Sequence, residues 1–112
     1  NVLGTVMCCR AALRRLPAGG AIVNVSSRAA GLGGGGEWIH YAASKGAMDS
    51  LTVGLAKEAA AQGVRVNAVS PGLIDTELHA AAGMPDRVAR FASAVPLARG
   101  GTAEEVAEAV VW

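Results

Sequence analysis

A dominant charge is the first thing this chain lacks. Ten lysines and arginines stand against nine aspartates and glutamates, and charged residues make up only 17% of the sequence. No strong field of either sign argues for a nucleic acid or an anionic membrane as partner. No apolar run approaches the length of a membrane span, and no charged-then-apolar leader opens the sequence. Cysteine is confined to Cys8 and Cys9, adjacent on an expected helix, a poor geometry for a mutual disulfide. They fit neither a disulfide framework nor a zinc site and are expected as buried thiols in a reducing compartment, with cytoplasm the expected location. His40 and His79 lie far from any cysteine or carboxylate pattern, so no metal is expected and both are assigned as solvated or packed histidines. A phosphate-cradling Gly-x-Gly-x-x-Gly helix start is missing too. The run from Gly33 to Gly36 follows an apolar strand-like segment but opens no helix of that kind.

What is present suits one domain with a modest core: 112 residues, 52% of them hydrophobic. Residues 1–16 carry Val2, Leu3, Val6, Met7, Leu13 and Leu16, with arginines toward the C-terminal end, and predict a helix stopped by Pro17-Ala-Gly-Gly. Residues 21–27 are a short β-branched run between glycines, the mark of a buried parallel strand. Residues 28–40 are expected as a loop whose glycines let backbone approach a ligand. Alanine-rich residues 41–62 predict a second helix stopped by Gly63, and residues 64–70 a second strand. Strand, helix and strand in this order form a βαβ unit, so the strands should run parallel and end at one edge of the sheet. Beyond it, helical pieces over 76–82 and 86–94 make an excursion expected to act as a lid. Thr102-Ala-Glu-Glu105 has the form of a capping box for a last helix.

The chemistry-bearing residues gather around that edge. Tyr41, the chain's only tyrosine, precedes Lys45 by four positions, which places both on one helix face. A phenol ionises far above neutral pH, and a cation held beside one favours the phenolate that acid–base work needs. Alone, the pair is an unremarkable helix tyrosine and a solvated lysine. Ser26 and Ser27 end the first strand, where hydroxyls often only cap a turn. Trp38 could line a pocket or pack under the loop with equal ease.

Together, Ile22-Val-Asn-Val-Ser-Ser27, Tyr41-Ala-Ala-Ser-Lys45 and Asn67-Ala-Val-Ser-Pro-Gly-Leu-Ile-Asp-Thr76 resemble the short-chain dehydrogenase/reductase family, as does the leading Asn1-Val-Leu-Gly. The resemblance covers essentially the whole chain, in order and with ordinary spacing. It implies an α/β Rossmann-type fold, a doubly wound parallel sheet with helices on both faces, of which residues 1–112 would be roughly the second half. Family members are about twice as long, so the glycine-rich nucleotide-binding half is expected upstream, and these residues alone are expected to be inactive and prone to aggregate.

The same resemblance implies NAD or NADP as cofactor and a hydride moved between nicotinamide and a carbonyl or secondary-alcohol substrate. It implies a catalytic set of Asn1, Ser27, Tyr41 and Lys45, with Tyr41 as general acid or base. Ser27 would polarise the substrate carbonyl, with Ser26 as the competing position. Lys45 would also hold the ribose hydroxyls, and Asn1 would support a water joining the lysine to solvent. Tyr41, Lys45, Pro71, Gly72, Ile74 and Thr76 are the implied cofactor contacts. Homodimers or homotetramers built through helices 2–16 and 41–62 are implied as well. A catalytically silent binding or assembly module on the same fold is the competing expectation.

Overall fold

The computed structural model describes all residues, Asn1–Trp112, as two compact units, Asn1–Ser70 and Pro71–Trp112. In the first, helix α1 spans Val2–Leu13 and strand β1 Ala21–Val25. Helix α2 covers Ala29–Leu32, helix α3 Ile39–Ala59 and strand β2 Arg65–Val69. The strands pair in parallel, Ala21 with Arg65 through Val25 with Val69, so the βαβ unit is as expected. Two glycine turns set this register. Gly63, left-handed at φ 69°, ends the 3-10 turn that follows α3, and its carbonyl accepts from the N–H of Gly19 at 2.8 Å. The strands therefore start together and end together.

Ala59, Val64 and Val66 form the buried centre of the unit, with Leu13, Leu16, Ile22, Leu55 and Ala56 packed against it. Small residues on α3 let the helix approach the sheet closely. A second tie between layers is polar. Asn24 on β1 donates to the Thr52 hydroxyl of α3 at 2.9 Å and accepts from the Cys9 thiol of α1 at 3.5 Å. All three residues are buried, so one amide joins two helices and the sheet.

Two expectations need correction. Residues 28–40 are not all loop, because Ala29–Leu32 forms one helical turn, closed by left-handed Gly33. Only Cys9 is buried. Cys8, one residue along and so rotated about 100° around the helix, is exposed.

The second unit holds α4 (Glu77–Ala81), α5 (Arg87–Phe91) with a 3-10 turn over Ala92–Ala94, and α6 (Ala103–Val111). Its spine is a bridge between Ile74 and Gly101, where the Gly101 N–H donates to the Leu73 carbonyl at 2.9 Å and the Asp75 N–H to the Gly101 carbonyl at 2.8 Å. A side chain at Gly101 would start 2.8 Å from Ile74 Cδ1, so the end of that isoleucine would have to shift to admit one. The capping box forms: the Thr102 hydroxyl accepts from the Glu105 N–H at 3.3 Å, and Glu105 accepts from the Thr102 N–H at 2.8 Å. Arg99 adds a bidentate pair to the same carboxylate at 2.6 and 3.0 Å. His79 is packed, with Nε2 2.9 Å from the Ile74 carbonyl, and His40 is exposed.

Candidate functional site

Because β1 and β2 run parallel and in register, Ser26 and Ser70 leave the sheet at the same edge, where ligands of open α/β sheets bind. Over this edge stands the first turn of α3. Tyr41 is its third residue and Lys45 lies one turn on, which sets both side chains on one face. The Lys45 amino group sits 5.7 Å from the Tyr41 ring centroid. Trp38 meets the same ring edge-on, centroids 5.5 Å apart and planes at 74°. The contacts that hold Tyr41 are thus made by its ring.

Lys45 is 9% exposed, and burying a cation is costly unless it is hydrogen-bonded. Its Nζ donates to the main-chain carbonyl of Val25 at 2.7 Å, a neutral partner. In the parallel ladder the groups of Asn24 and Ser26 turn toward β2, as the Ser26 N–H donating to the Val69 carbonyl at 2.8 Å shows. The Val25 carbonyl therefore points to the opposite edge, where the lysine takes it up.

The two serines part company. Ser26 is 2% exposed and donates to the Lys45 carbonyl at 3.3 Å. Ser27 is half-buried, and its hydroxyl accepts from the Ala29 N–H at 3.1 Å, capping the turn that becomes α2. A serine hydroxyl that accepts one bond still has its own proton to give. Asn1 is the N-cap residue of α1, yet its side chain caps nothing. It donates instead to the Ser44 hydroxyl at 2.9 Å, and Ser44 donates to the Tyr41 carbonyl at 2.7 Å. The N-terminus of α1 is thereby tied to the first turn of α3.

Asn1, Ser27, Tyr41 and Lys45 all belong to the first unit, Pro71, Gly72, Ile74 and Thr76 to the second. Within the second, Ile74 lies in the bridge to Gly101, and Thr76 is the N-cap residue of α4 without a side-chain cap. Sequence reasoning missed Ser44 and the Val25 carbonyl. Ser44 carried a faint signal, its place between Tyr41 and Lys45; a main-chain carbonyl carries none. No cluster of three or more histidine, cysteine, aspartate or glutamate residues could hold a metal ion, and no helix is long and apolar enough to cross a membrane.

A parallel βαβ unit with a Tyr–Lys face over its carboxyl edge belongs to a known class. A family model described as enoyl-(acyl carrier protein) reductase matches residues 1–112, and the chain belongs to the short-chain dehydrogenase/reductase family. It is 58% identical over 117 residues to the uncharacterized oxidoreductase YgfF of Escherichia coli, a match that takes in 100% of this chain and 47% of that protein. It is 42% identical over 113 residues to carbonyl reductase family member 4 of Danio rerio, covering 100% of this chain and 46% of that one. Among solved structures, a short-chain dehydrogenase from Burkholderia cenocepacia in complex with NADP superposes with a TM-score of 0.88 at 32% identity, over 98% of this chain and 44% of that one. The fold is of the Rossmann type. The chain spans about half the length of the curated relatives it matches.

Proposed function

We propose that these residues are the catalytic half of an NAD(P)-dependent oxidoreductase acting on a carbonyl or secondary-alcohol carbon. The observation that carries this reading is the Lys45 amino group, held by Val25 and 5.7 Å from the Tyr41 ring, over the carboxyl edge of a parallel sheet. The names of two relatives, a carbonyl reductase and a 3-oxoacyl-[acyl-carrier-protein] reductase, support a carbonyl substrate. The NADP in the Burkholderia neighbour supports a nicotinamide cofactor.

The residues suit such a cofactor. An ammonium has three N–H groups, and Val25 takes one of them, so two remain for the paired hydroxyls of a ribose. When bound, the cofactor supplies or accepts the hydride. The chain manages the proton and the oxygen. Tyr41 gives its phenol proton to the substrate oxygen in reduction and takes one from the alcohol in oxidation. Ser27 keeps its hydroxyl proton free for the same oxygen and stabilises charge developing there. Asn1, fixed by Ser44, supports a solvent path to the lysine. Pro71, Gly72, Ile74 and Thr76 are the proposed contacts to the nicotinamide carboxamide, on family resemblance alone. Assembly into a dimer or tetramer through residues 2–16 and 41–62 is proposed on family resemblance alone.

Fluorescence titration of NADH and NADPH tests this reading, on residues 1–112 and on the full-length protein. Binding by the full-length protein alone is expected, and it settles the coenzyme. Failure of both to bind while folded would favour a silent assembly module.

A further inference from the structure

We propose that Ser26 is a positioning residue that sets Lys45 on the strand end. The inference rests on the role proposed above for Lys45. The geometry is a reciprocal latch. The Lys45 side chain donates to the main chain of Val25 at 2.7 Å, and the Ser26 side chain donates to the main chain of Lys45 at 3.3 Å. The last residue of β1, the residue after it and one helix residue thereby close a ring of bonds. Ser26 is itself anchored, because its N–H donates to the Val69 carbonyl at 2.8 Å.

The latch addresses a specific weakness. A lysine is a point charge on a flexible four-carbon stem, and a bond at its tip alone leaves the backbone beneath it free to shift. A second bond, at the lysine's own carbonyl, removes that slack. Asn24, two residues back on the same strand face, bonds Thr52, seven residues and two turns along the same helix face. The register of α3 on β1 is thus fixed at two points, with Lys45 at the one nearer the site. The ordinary duty of a strand-end serine, capping the turn that follows, falls to Ser27, which leaves Ser26 for the helix.

Removing the Ser26 hydroxyl should leave no orphan. The Lys45 carbonyl lies well inside α3, where the helical ladder also supplies it a donor. Ser26→Ala should therefore fold, with Lys45 loosened. Lys45 and Lys57 are the only lysines among residues 1–112, and exposed Lys57 on the same helix is a built-in reference. Full-length protein is labelled briefly with an amine-acetylating reagent, and each lysine is read by peptide mass spectrometry. In Ser26→Ala the Lys45-to-Lys57 labelling ratio should rise about fivefold, the weight of one net hydrogen bond. Ser26→Thr, which keeps the hydroxyl, should match the parent. An unchanged ratio in Ser26→Ala overturns the proposal, as does an equal rise at both lysines, which marks general loosening. Should Ser26→Ala lose its cooperative melt, Ser26→Cys, close in size but a weaker donor, is read instead. An intermediate ratio supports the latch and the parent ratio overturns it. Added NADH or NADPH tests the other reading separately. Failure of either to protect Lys45 in the parent protein removes the cofactor role while leaving the Ser26 result intact.

Discussion

Lys45 reaches from the second turn of α3 to the main-chain carbonyl of Val25, 2.7 Å from its amino group, and so carries a buried cation on a neutral partner. A lysine of purely structural use would be replaceable by an apolar side chain of similar length, since one neutral bond recovers little of the cost of burying charge. Lys45→Met should accordingly leave the melting temperature of the full-length protein unchanged or raised, while reductase activity on a carbonyl panel falls about hundredfold or more. Parallel thermal melts and NAD(P)H-oxidation assays check both halves. A large drop in stability together with retained activity would assign the residue to structure.

The buried amide of Asn24 satisfies Thr52 and Cys9 at once. Asn24→Ala removes both bonds, so the Thr52 hydroxyl keeps only its donation to the Met48 carbonyl at 2.8 Å and the Cys9 thiol loses its acceptor, which should destabilise the protein by about 1–3 kcal/mol. Urea unfolding reads this as a lowered midpoint with an unchanged slope.

Adjacent glycines of one loop should respond unequally to alanine. Gly34 has φ 62°, and a Cβ there would lie 2.6 Å from the Trp38 carbonyl oxygen, just before the first turn of α3. Gly34→Ala should cost about 1–3 kcal/mol. At Gly35 nothing lies within 4 Å and φ is not left-handed, so Gly35→Ala should stay within about 0.5 kcal/mol of the parent. Equal effects in the two melts would contradict the geometry.

Hydrogen bonds from Arg99 and from the Thr102 N–H hold the Glu105 carboxyl down from 4.5 to about 2. A carboxyl depressed on folding contributes stability above its unfolded value and loses that contribution as pH falls through its folded one. The capping box of α6 should therefore persist at pH 4.5 and be lost between about 4.5 and about 2. The amide resonance of Thr102, followed by nuclear magnetic resonance on acidification, should titrate near the lower end of that window. A midpoint at 4.5 would mean the pair is open in solution.

The elements most legible in the sequence are those whose signal is local. The strand Ala21–Val25 shows as a β-branched run between glycines, the helix stop at Gly63 as a left-handed glycine, and the capping box as Thr102 with Glu105 three residues on. The short helix Ala29–Leu32 is hidden because a single turn among glycines has no periodicity to display. The pairing of Tyr41 with Lys45 follows from helix spacing alone. That Ser26 turns inward and Ser27 does not depends on which face of β1 meets α3, and strand alternation by itself leaves this open. The Cys9–Asn24–Thr52 tie and the Val25 carbonyl join residues far apart in sequence, so only the fold reveals them.

The measurement that tests the account most directly is the activity of Tyr41→Phe in the full-length protein, with NADH and NADPH over a panel of carbonyl substrates. The change removes one hydroxyl and keeps the ring that meets Trp38 and Lys45, so the fold should be retained. With Tyr41 as the proton donor, kcat/KM should fall about 10²–10⁴-fold while cofactor binding persists. Activity within about threefold of the parent would contradict the assignment and leave the Tyr–Lys face without its proposed chemistry.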